Sequence, residues 1–321
     1  MTRIAVLDDY QRVALKMADW DQLGPDCEVD VFDRNLATVD AAAEALAPYE
    51  VVCLMRERMP VPAELLTRLD NLRLLITTGG HNRTIDMDAA TARGVTVCHT
   101  GGGESIHATP EMAWALMLAA ARHLPEEHQR MREGGWQETL GTILHGTTLG
   151  LVGLGRMGSR MVPVAKAFGM NVIAWSQNLT AERAEEVGAH YVPKDELFAR
   201  SDFVSIHLVL GARSQGLVGA TELAQMKPGA ILVNTSRGPI IDEAALIETL
   251  RARRIRAAAL DVFDVEPLPA DHPFRSMDNV VLAPHLGYVT EGAYREFYTD
   301  IVEDIAAWRA GAPIRVLAAP A

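Results

Sequence analysis

Three glycines near the middle of the chain constrain its fold more than any other feature. Gly153, Gly155 and Gly158 are spaced G-x-G-x-x-G, after an apolar run at 149–152 and before a helical pattern at 157–168. A strand, a tight glycine turn and a helix in this order are typical of a dinucleotide-binding turn, because free N–H groups and the helix dipole favour phosphate there. A purely structural glycine turn is the alternative. The next apolar run, which fits a second strand, favours the dinucleotide-binding interpretation.

Apolar runs alternate with helical patterns on both sides of a glycine-rich break, Gly101 to Gly103. The predicted strands are 3–7, 28–32, 51–55, 72–77 and 95–99, then 149–152, 172–175, 203–207, 230–234, 257–262 and 280–283. The predicted helices include 39–46, 62–69, 109–122 and 290–308. Such alternation predicts an α/β fold with parallel sheets covered by helices on both faces.

We therefore predict two doubly wound parallel-sheet domains. A Rossmann-type dinucleotide-binding domain at 101–287 is inserted into a flavodoxin-like substrate domain, which is formed by 1–100 and a C-terminal segment, 288–321. The last predicted helix is expected to return to the first domain, although packing elsewhere is the alternative. A polar, helical stretch that includes Trp136 is expected to precede the second alternation.

Composition excludes several classes of function. The 321 residues are 49% hydrophobic and carry a formal net charge of −12, which argues against nucleic acid or an anionic membrane as partner. The sequence has neither a signal-peptide pattern nor a run long enough to span a bilayer, so a cytoplasmic location is expected. Cys27, Cys53 and Cys98 lack paired metal spacing and are expected to be reduced, buried thiols. No metal site is predicted.

Three polar side chains follow three predicted strands of the second domain. Arg237 follows 230–234, Glu266 follows 257–262 and His285 follows 280–283. Because ligands bind beyond the carboxyl ends of parallel strands, a cation, a carboxylate and an imidazole are expected at the edge that carries the glycine turn. Singly, each would be an ordinary loop residue. Together they suit reduction of a 2-keto acid, since a guanidinium can hold a carboxylate and an imidazolium beside an anion can donate a proton.

The sequence resembles the D-isomer-specific 2-hydroxyacid dehydrogenases over nearly its whole length. The resemblance rests on the glycine turn and on three later signatures in the family's order: Asn234 to Gly238, Leu260 to Phe263 with Glu266-Pro267, and Pro284 to Gly287. It implies an NAD- or NADP-dependent enzyme that acts on a small 2-hydroxy or 2-keto acid. Arg237 would clamp the substrate, His285 would donate the proton and Glu266 would be its partner acid.

The resemblance also implies a homodimer whose contact involves the helix from Thr109 and the Gly135-Trp136 region. It suggests that Asp261 contacts the nicotinamide carboxamide. For His207, a packed, hydrogen-bonded histidine is the alternative to a residue lining the adenine pocket. The predicted cofactor contacts are Thr109, Gly153, Gly155, Arg156, Met157, Gly158, Ser176, His207, Thr235, Ser236, Asp261 and Gly287.

Two departures from the family pattern affect ligand choice. NAD-preferring members usually have Asp after the second strand of the nucleotide fold, whereas Ser176 follows Trp175 here. At this position no carboxylate would repel the 2′-phosphate of NADP, and no arginine would attract it. The choice between NAD and NADP is therefore open, and a slight preference for NAD is expected. In the substrate loop, His81 and Arg83 replace residues that are usually small and acidic.

The predicted substrate contacts are Arg56, Gly79, Gly80 and His81. For Arg56 a solvated charged loop is the alternative to contact with a second acidic group of the substrate. A different class of function is a dinucleotide-sensing binding protein, since transcriptional corepressors resemble this family. An acidic chain without an added peptide-binding arm favours the oxidoreductase.

Overall fold

The computed structural model describes residues 1–36 and 38–317, a mixture of parallel strands and helices. The strands are β1 (Thr2–Val6), β2 (Cys27–Val31), β3 (Val51–Leu54), β4 (Leu74–Thr77), β5 (Thr96–His99), β6 (Thr148–Val152), β7 (Asn171–Trp175), β8 (His190–Tyr191), β9 (Phe203–Ile206), β10 (Ile231–Asn234), β11 (Ala257–Leu260) and β12 (Val280–Leu282). The helices are α1 (Ala14–Met17), α2 (Val39–Leu46), α3 (Ala63–Leu66), α4 (Met87–Ala92), α5 (Ser105–Arg122), α6 (Leu124–Arg132), α7 (Gly158–Ala167), α8 (Ala181–Glu186), α9 (Lys194–Arg200), α10 (Ala220–Gln225), α11 (Glu243–Arg251) and α12 (Glu291–Arg309). Short 3₁₀ turns lie at Trp20–Leu23, Gly238–Ile240 and Pro273–Ser276.

The chain divides into two compact units. Unit 1 contains Met1–Glu104 and the segment that begins at Thr290, and unit 2 contains Ser105–Val289. The last four residues of the predicted segment 288–321 lie outside the described residues. The assignment of unit 1 to substrate binding stays a prediction.

Unit 1 is built on a five-stranded parallel sheet in the order β2-β1-β3-β4-β5. This is the flavodoxin-like strand order, with helices supplying the apolar cover. Helix α12 packs on β4 and α1, so the C-terminal helix belongs to this unit. Arg315 fixes the segment after α12: its Nε donates to Asp304 Oδ1 at 2.9 Å, and its carbonyl accepts from the His99 N–H at 2.9 Å. The outer edge of β5 is thereby partly covered.

Unit 2 is built on a seven-stranded parallel sheet in the order β12-β11-β10-β9-β6-β7-β8. The chain starts at β6 in the centre, runs outward to β8, and then returns to the other side of β6 at β9. The order reverses between β6 and β9, which creates the crevice where α/β sheets bind ligands. Both sheets are parallel throughout, which confirms the predicted fold class of a Rossmann-type and a flavodoxin-like doubly wound domain.

The structure differs from the predictions at two helices. Helix α5 begins at Ser105 rather than Thr109 and so includes Pro110, which has no N–H for the helix. Ala113, Trp114 and Met117 bury the helix in the core of unit 2, and this packing outweighs the lost hydrogen bond. The predicted polar helix is present as α6, but the inclusion of Trp136 is wrong, because α6 ends at Arg132 before two glycines and Trp136 lies in the following loop.

The cysteines are all free thiols, and Cys53 and Cys98 are buried. Burial raises the pKa of the Cys98 thiol to about 12, which keeps it protonated and unreactive. Cys27 is only half-buried, at the first residue of β2. The expected burial therefore holds for two of the three.

Candidate active site

In the turn after β6, two of the three glycines lie where any other side chain would collide with backbone atoms. Gly153 has a φ of +103°, and a Cβ there would lie 2.6 Å from the carbonyl oxygen of His207. A Cβ at Gly158 would overlap the carbonyl oxygen of Gly153, so the start of α7 lies directly on the turn. The Cα of Gly155 faces open space. The turn therefore holds a helix N-terminus at the point where the strand order reverses and leaves room for a phosphate beside it.

The three predicted polar side chains follow three neighbouring strands. Arg237 is the third residue after β10, Glu266 lies in the loop after β11, and His285 is the third residue after β12. These strands pair in parallel, Ala259 with Val233 and with Val281, so their carboxyl ends meet at one edge of the sheet. Backbone packing brings the first two loops together, since a Cβ at Gly238 would overlap the backbone of Phe263.

Glu266 and His285 form a direct, partly buried pair. His285 Nδ1 lies 2.5 Å from Glu266 Oε2, and Glu266 Oε1 accepts the Phe263 N–H at 2.9 Å. Because a carboxylate can only accept, the ring donates from Nδ1, which makes Nε2 the nitrogen available for proton exchange. Burial raises the pKa of Glu266, but the bond and charge of His285, the Phe263 N–H and the charge of Arg237 outweigh it and hold that pKa below its usual range.

Arg237 is positioned through its backbone. Its carbonyl accepts from Asn234 Nδ2 at 2.9 Å, while Asn234 Oδ1 accepts the Ser236 N–H at 3.0 Å. The guanidinium donates from Nη1 to the Ser236 carbonyl at 2.7 Å. The buried amide of Asn234 thus shapes the loop that presents the guanidinium beside Glu266. A charged fork, a carboxylate and an imidazole on one edge form an arrangement that can bind an anion and move a proton.

Asp261 and Thr109, two predicted cofactor contacts, hydrogen-bond to the turn that contains a third, Gly287. The Asp261 side chain is fully buried and accepts the N–H groups of Leu286 at 2.6 Å and Gly287 at 2.8 Å. Thr109 Oγ1 donates to the Gly287 carbonyl at 3.1 Å. The structure gives all three a role in holding the turn beside His285. Their contacts with a cofactor stay predictions.

The loop after β9 contains a second histidine in a different environment. His207 Nε2 lies 2.9 Å from Ser205 Oγ, and burial lowers the pKa of His207 to about 4. This fits the packed, hydrogen-bonded alternative, and a neutral ring excludes His207 as the charged proton donor near pH 7. The neighbouring Ser236 hydroxyl donates to the Ile206 carbonyl at 2.8 Å. Thr235 is buried, and its hydroxyl has no hydrogen-bond partner among residues 1–36 and 38–317.

Comparison with known proteins identifies the family. The model of the D-isomer specific 2-hydroxyacid dehydrogenase, NAD binding domain, matches residues 114–287. This match covers more than half of the chain and includes the glycine turn, Arg237, Glu266 and His285. The chain belongs to this family. The predicted family membership is therefore confirmed, and unit 2 is the family's NAD(P)-binding domain.

Individual relatives agree with this assignment. The chain is 40% identical to the glyoxylate reductase of Aeropyrum pernix over 88% of its own length and 87% of the relative's. It is 40% identical to the D-3-phosphoglycerate dehydrogenase of Archaeoglobus fulgidus over 83% of this chain and 51% of the relative. The chain spans about half the length of the phosphoglycerate dehydrogenases that it matches. The solved phosphoglycerate oxidoreductase of Vibrio cholerae o395 superposes with a TM-score of 0.91 at 37% identity, covering 97% of this chain and 100% of that chain.

The glycine turn after β6 and the neighbouring loops have features that fit a bound dinucleotide. The open face of Gly155 provides space at the start of α7, and the buried Thr235 hydroxyl has an unmet hydrogen bond within the described residues. Ser176, in the turn after β7, is half-buried, and its carbonyl accepts the Leu179 N–H at 3.1 Å. Arg156 is exposed beside Gly155, and Met157 immediately precedes α7. The individual cofactor contacts stay predictions.

The predicted substrate loop lies in unit 1, after β4. Gly79 has a φ of +82°, and the Arg56 guanidinium lies where a side chain on Gly79 would be. Asn82, which the sequence did not single out, is buried and donates to the Arg56 carbonyl at 2.7 Å. Gly80 and His81 are exposed at the end of this loop. Arg56 and Gly79 therefore form one packed loop pair, while the substrate roles of all four predicted residues stay predictions.

The described part of the chain contains neither a candidate metal site nor a candidate membrane-spanning helix. No group of three or more His, Cys, Asp or Glu residues there could hold a metal ion. None of the helices described is both long enough and apolar enough to cross a membrane.

Proposed function

We propose that this chain is an NAD(P)-dependent oxidoreductase. It transfers a hydride between the nicotinamide cofactor and C2 of a small D-2-hydroxy acid or 2-keto acid. The observation that carries the proposal is the bond between His285 Nδ1 and Glu266 Oε2, beside Arg237, on the sheet edge that also carries the dinucleotide turn. Family membership supports the same reaction class.

The proposed mechanism assigns one task to each of the three residues. Arg237 binds the substrate carboxylate through its planar fork, which orients the carbonyl carbon. His285 donates a proton from Nε2 to the carbonyl oxygen during reduction and accepts it back during oxidation. Glu266 accepts from Nδ1 and stabilises the imidazolium. A bound nicotinamide would supply or take the hydride.

The direct test is NAD(P)H oxidation with a panel of keto acids: glyoxylate, hydroxypyruvate, pyruvate and longer chains. We expect turnover with at least one of them. A folded protein that binds the cofactor but reduces none would contradict the proposal and favour the dinucleotide-sensing alternative. In that alternative, partner binding would change with NADH and persist after His285→Ala.

Replacing Glu266 with glutamine is expected to move the alkaline limb of kcat for keto-acid reduction to lower pH. Reduction requires a protonated His285, and the substitution removes the anion that lies 2.5 Å from Nδ1. Protonation then becomes harder, so activity is lost at a lower pH than in the wild type. The measurement is kcat as a function of pH at saturating substrate.

Asp264→Asn is the matched control, since Asp264 is an exposed carboxylate in the same loop. Its alkaline limb is expected to stay where the wild-type limb lies. An unchanged or higher limb in Glu266→Gln would show that Glu266 is not the acid that assists His285.

We propose that cofactor discrimination is weak, with a slight preference for NAD. The supporting observation is that Ser176 follows β7, where NAD-preferring members usually have Asp. Titration with NADH and NADPH is expected to give dissociation constants that differ by less than about a hundredfold, or ~2.7 kcal/mol. A larger ratio would mean that another residue reads the ribose.

We propose a homodimer in which residues 124–143 form the contact. In this segment Trp136 is 68% exposed and Leu140 is 89% exposed, and Leu124, Met131 and Ile143 are also exposed. Exposed apolar side chains concentrated in one segment favour an interface. By contrast, α5 buries most of its apolar residues inside unit 2, so we expect it to contribute less to the contact than the resemblance implies. Sedimentation that compares the wild type with the double variant Trp136→Ser, Leu140→Ser tests the contact, and an unchanged mass would contradict it.

A cytoplasmic location stays a prediction, to be tested by cell fractionation.

A further inference from the structure

The backbone at His285 adopts a conformation that needs support. Its φ is +55°, in the left-handed region that residues other than glycine rarely adopt. Such a conformation persists only where surrounding contacts specify it. The bond between Glu266 and Nδ1 orients the ring but leaves the backbone unconstrained. A second set of contacts must therefore hold the turn.

Asp261 provides these contacts from the neighbouring strand. It follows β11 directly and accepts the next two backbone N–H groups after His285, Leu286 on Oδ1 at 2.6 Å and Gly287 on Oδ2 at 2.8 Å. Hydrogen bonds from N–H groups to a carboxylate are stronger than those between neutral groups. Burial raises the pKa of Asp261 to about 6, against the opposing effect of these two N–H groups and of His285. The fold thus keeps a fully buried carboxyl group where a turn depends on it.

Thr109 holds the same turn through the carbonyl group of Gly287. Its hydroxyl donates to the Gly287 carbonyl at 3.1 Å. A Cβ at Gly287 would lie 3.1 Å from Asp261 Oδ2 and 3.6 Å from Thr109 Oγ1, so the turn is packed closely between these two residues. The N–H groups of the turn are thus bound by Asp261, and the Gly287 carbonyl is bound by Thr109.

We propose that Asp261 is a positioning residue, which with Thr109 clamps the backbone turn 285–287 and so places His285 for proton transfer. The inference rests on the proposed function for its kinetic consequences, but the clamp itself is a property of the folded chain. It assigns Asp261 a task on the backbone in addition to the nicotinamide contact implied by the family resemblance. Its removal should therefore disturb the chemistry through His285, in addition to any effect on the predicted cofactor contact.

Hydrogen exchange tests the clamp without any substrate. In Asp261→Asn the side chain keeps one acceptor oxygen where the wild type has two, so at least one N–H loses its partner. The amides of Leu286 and Gly287, followed by mass spectrometry, are expected to exchange about tenfold faster or more than in the wild type. Peptides from β6 should be unchanged, as should the turn in Asp264→Asn. Unchanged exchange in Asp261→Asn would overturn the clamp.

A double-mutant cycle tests the catalytic consequence. Asp261→Asn is expected to lower kcat by about 10²-fold, because a displaced proton donor loses its alignment. In a His285→Ala background the same change should lower kcat by less than about threefold, since the residue that it positions is gone. Both backgrounds are measured at saturating NADH, so that any change in cofactor affinity is separated from kcat. A full effect on kcat in the His285→Ala background would overturn the positioning role.

Variants of Thr109 test the other side of the clamp, with a smaller expected effect than Asp261→Asn and a conservative substitution as control. Thr109→Val removes the hydroxyl and should accelerate exchange at the turn and lower kcat, while Thr109→Ser should restore both. Failure of Ser to restore them would mean that the Thr109 methyl group, rather than its hydrogen bond, supports the turn. If the wild type reduces no keto acid, the proposed function fails, and the exchange experiment still decides whether the clamp exists.

Discussion

Replacing His285 with alanine is expected to lower kcat for keto-acid reduction by about 10²–10⁴-fold, the usual contribution of a positioned general acid. The imidazole is bound through Nδ1 to Glu266 at 2.5 Å, so Nε2 is the nitrogen that can donate. His207, in the loop after β9, is kept neutral, because burial lowers its pKa to about 4. His207 is therefore not expected to substitute for His285.

The cofactor dissociation constant should be nearly the same in His285→Ala as in the wild type. His272 provides a matched control, because its Nε2 lies 3.0 Å from Glu243 Oε1 in an imidazole–carboxylate pair of the same unit. His272→Ala should leave kcat within about threefold of the wild type once folding has been checked by melting temperature. A His285→Ala enzyme with near-normal kcat would require a different proton donor, and the proposed roles of Glu266 and Arg237 would have to change with it.

The convergence of the candidate site residues could be predicted from the sequence because the carboxyl ends of neighbouring parallel strands meet at one edge. Arg237, Glu266 and His285 each follow an apolar run, and in a doubly wound sheet such positions converge on one edge. The glycine spacing then locates the crevice, since Gly153 and Gly158 meet backbone atoms that would exclude a side chain. Local pattern and global fold agree at these positions.

The contacts of individual residues are harder to predict, because they involve backbone groups that are distant in sequence. The bonds from Leu286 and Gly287 to Asp261 join residues 25 and 26 positions apart, and no periodicity records them. Tyr288, whose ring packs edge-on at 5.6 Å from that of His285, also carried no sequence signal. The start of α5 was placed too late because a proline favours the first helical turn, whereas burial of the helix overrides that preference here.

Replacing Arg237 with alanine is expected to lower kcat/KM by about 10³-fold or more, or ~4 kcal/mol, through a higher KM together with a lower kcat. The guanidinium is proposed to hold the substrate carboxylate in both the ground state and the transition state, so its loss removes binding and orientation at once. Steady-state kinetics over a wide substrate range would separate the two effects. A higher KM with unchanged kcat would mean that Arg237 contributes binding alone.

Arg237→Lys separates charge from geometry. Lysine keeps a positive charge near Glu266 but lacks the planar fork that can bind a carboxylate through two parallel hydrogen bonds. We expect it to recover part of the lost KM effect and little of the kcat effect, because orientation depends on the fork. Full recovery of kcat by lysine would show that charge alone is sufficient, and the proposed fork would then have no role in the reaction.

The charge of Arg237 also helps to lower the pKa of Glu266. In Arg237→Ala that carboxyl should therefore be easier to protonate, which should shift the acid limb of kcat for keto-acid reduction to higher pH.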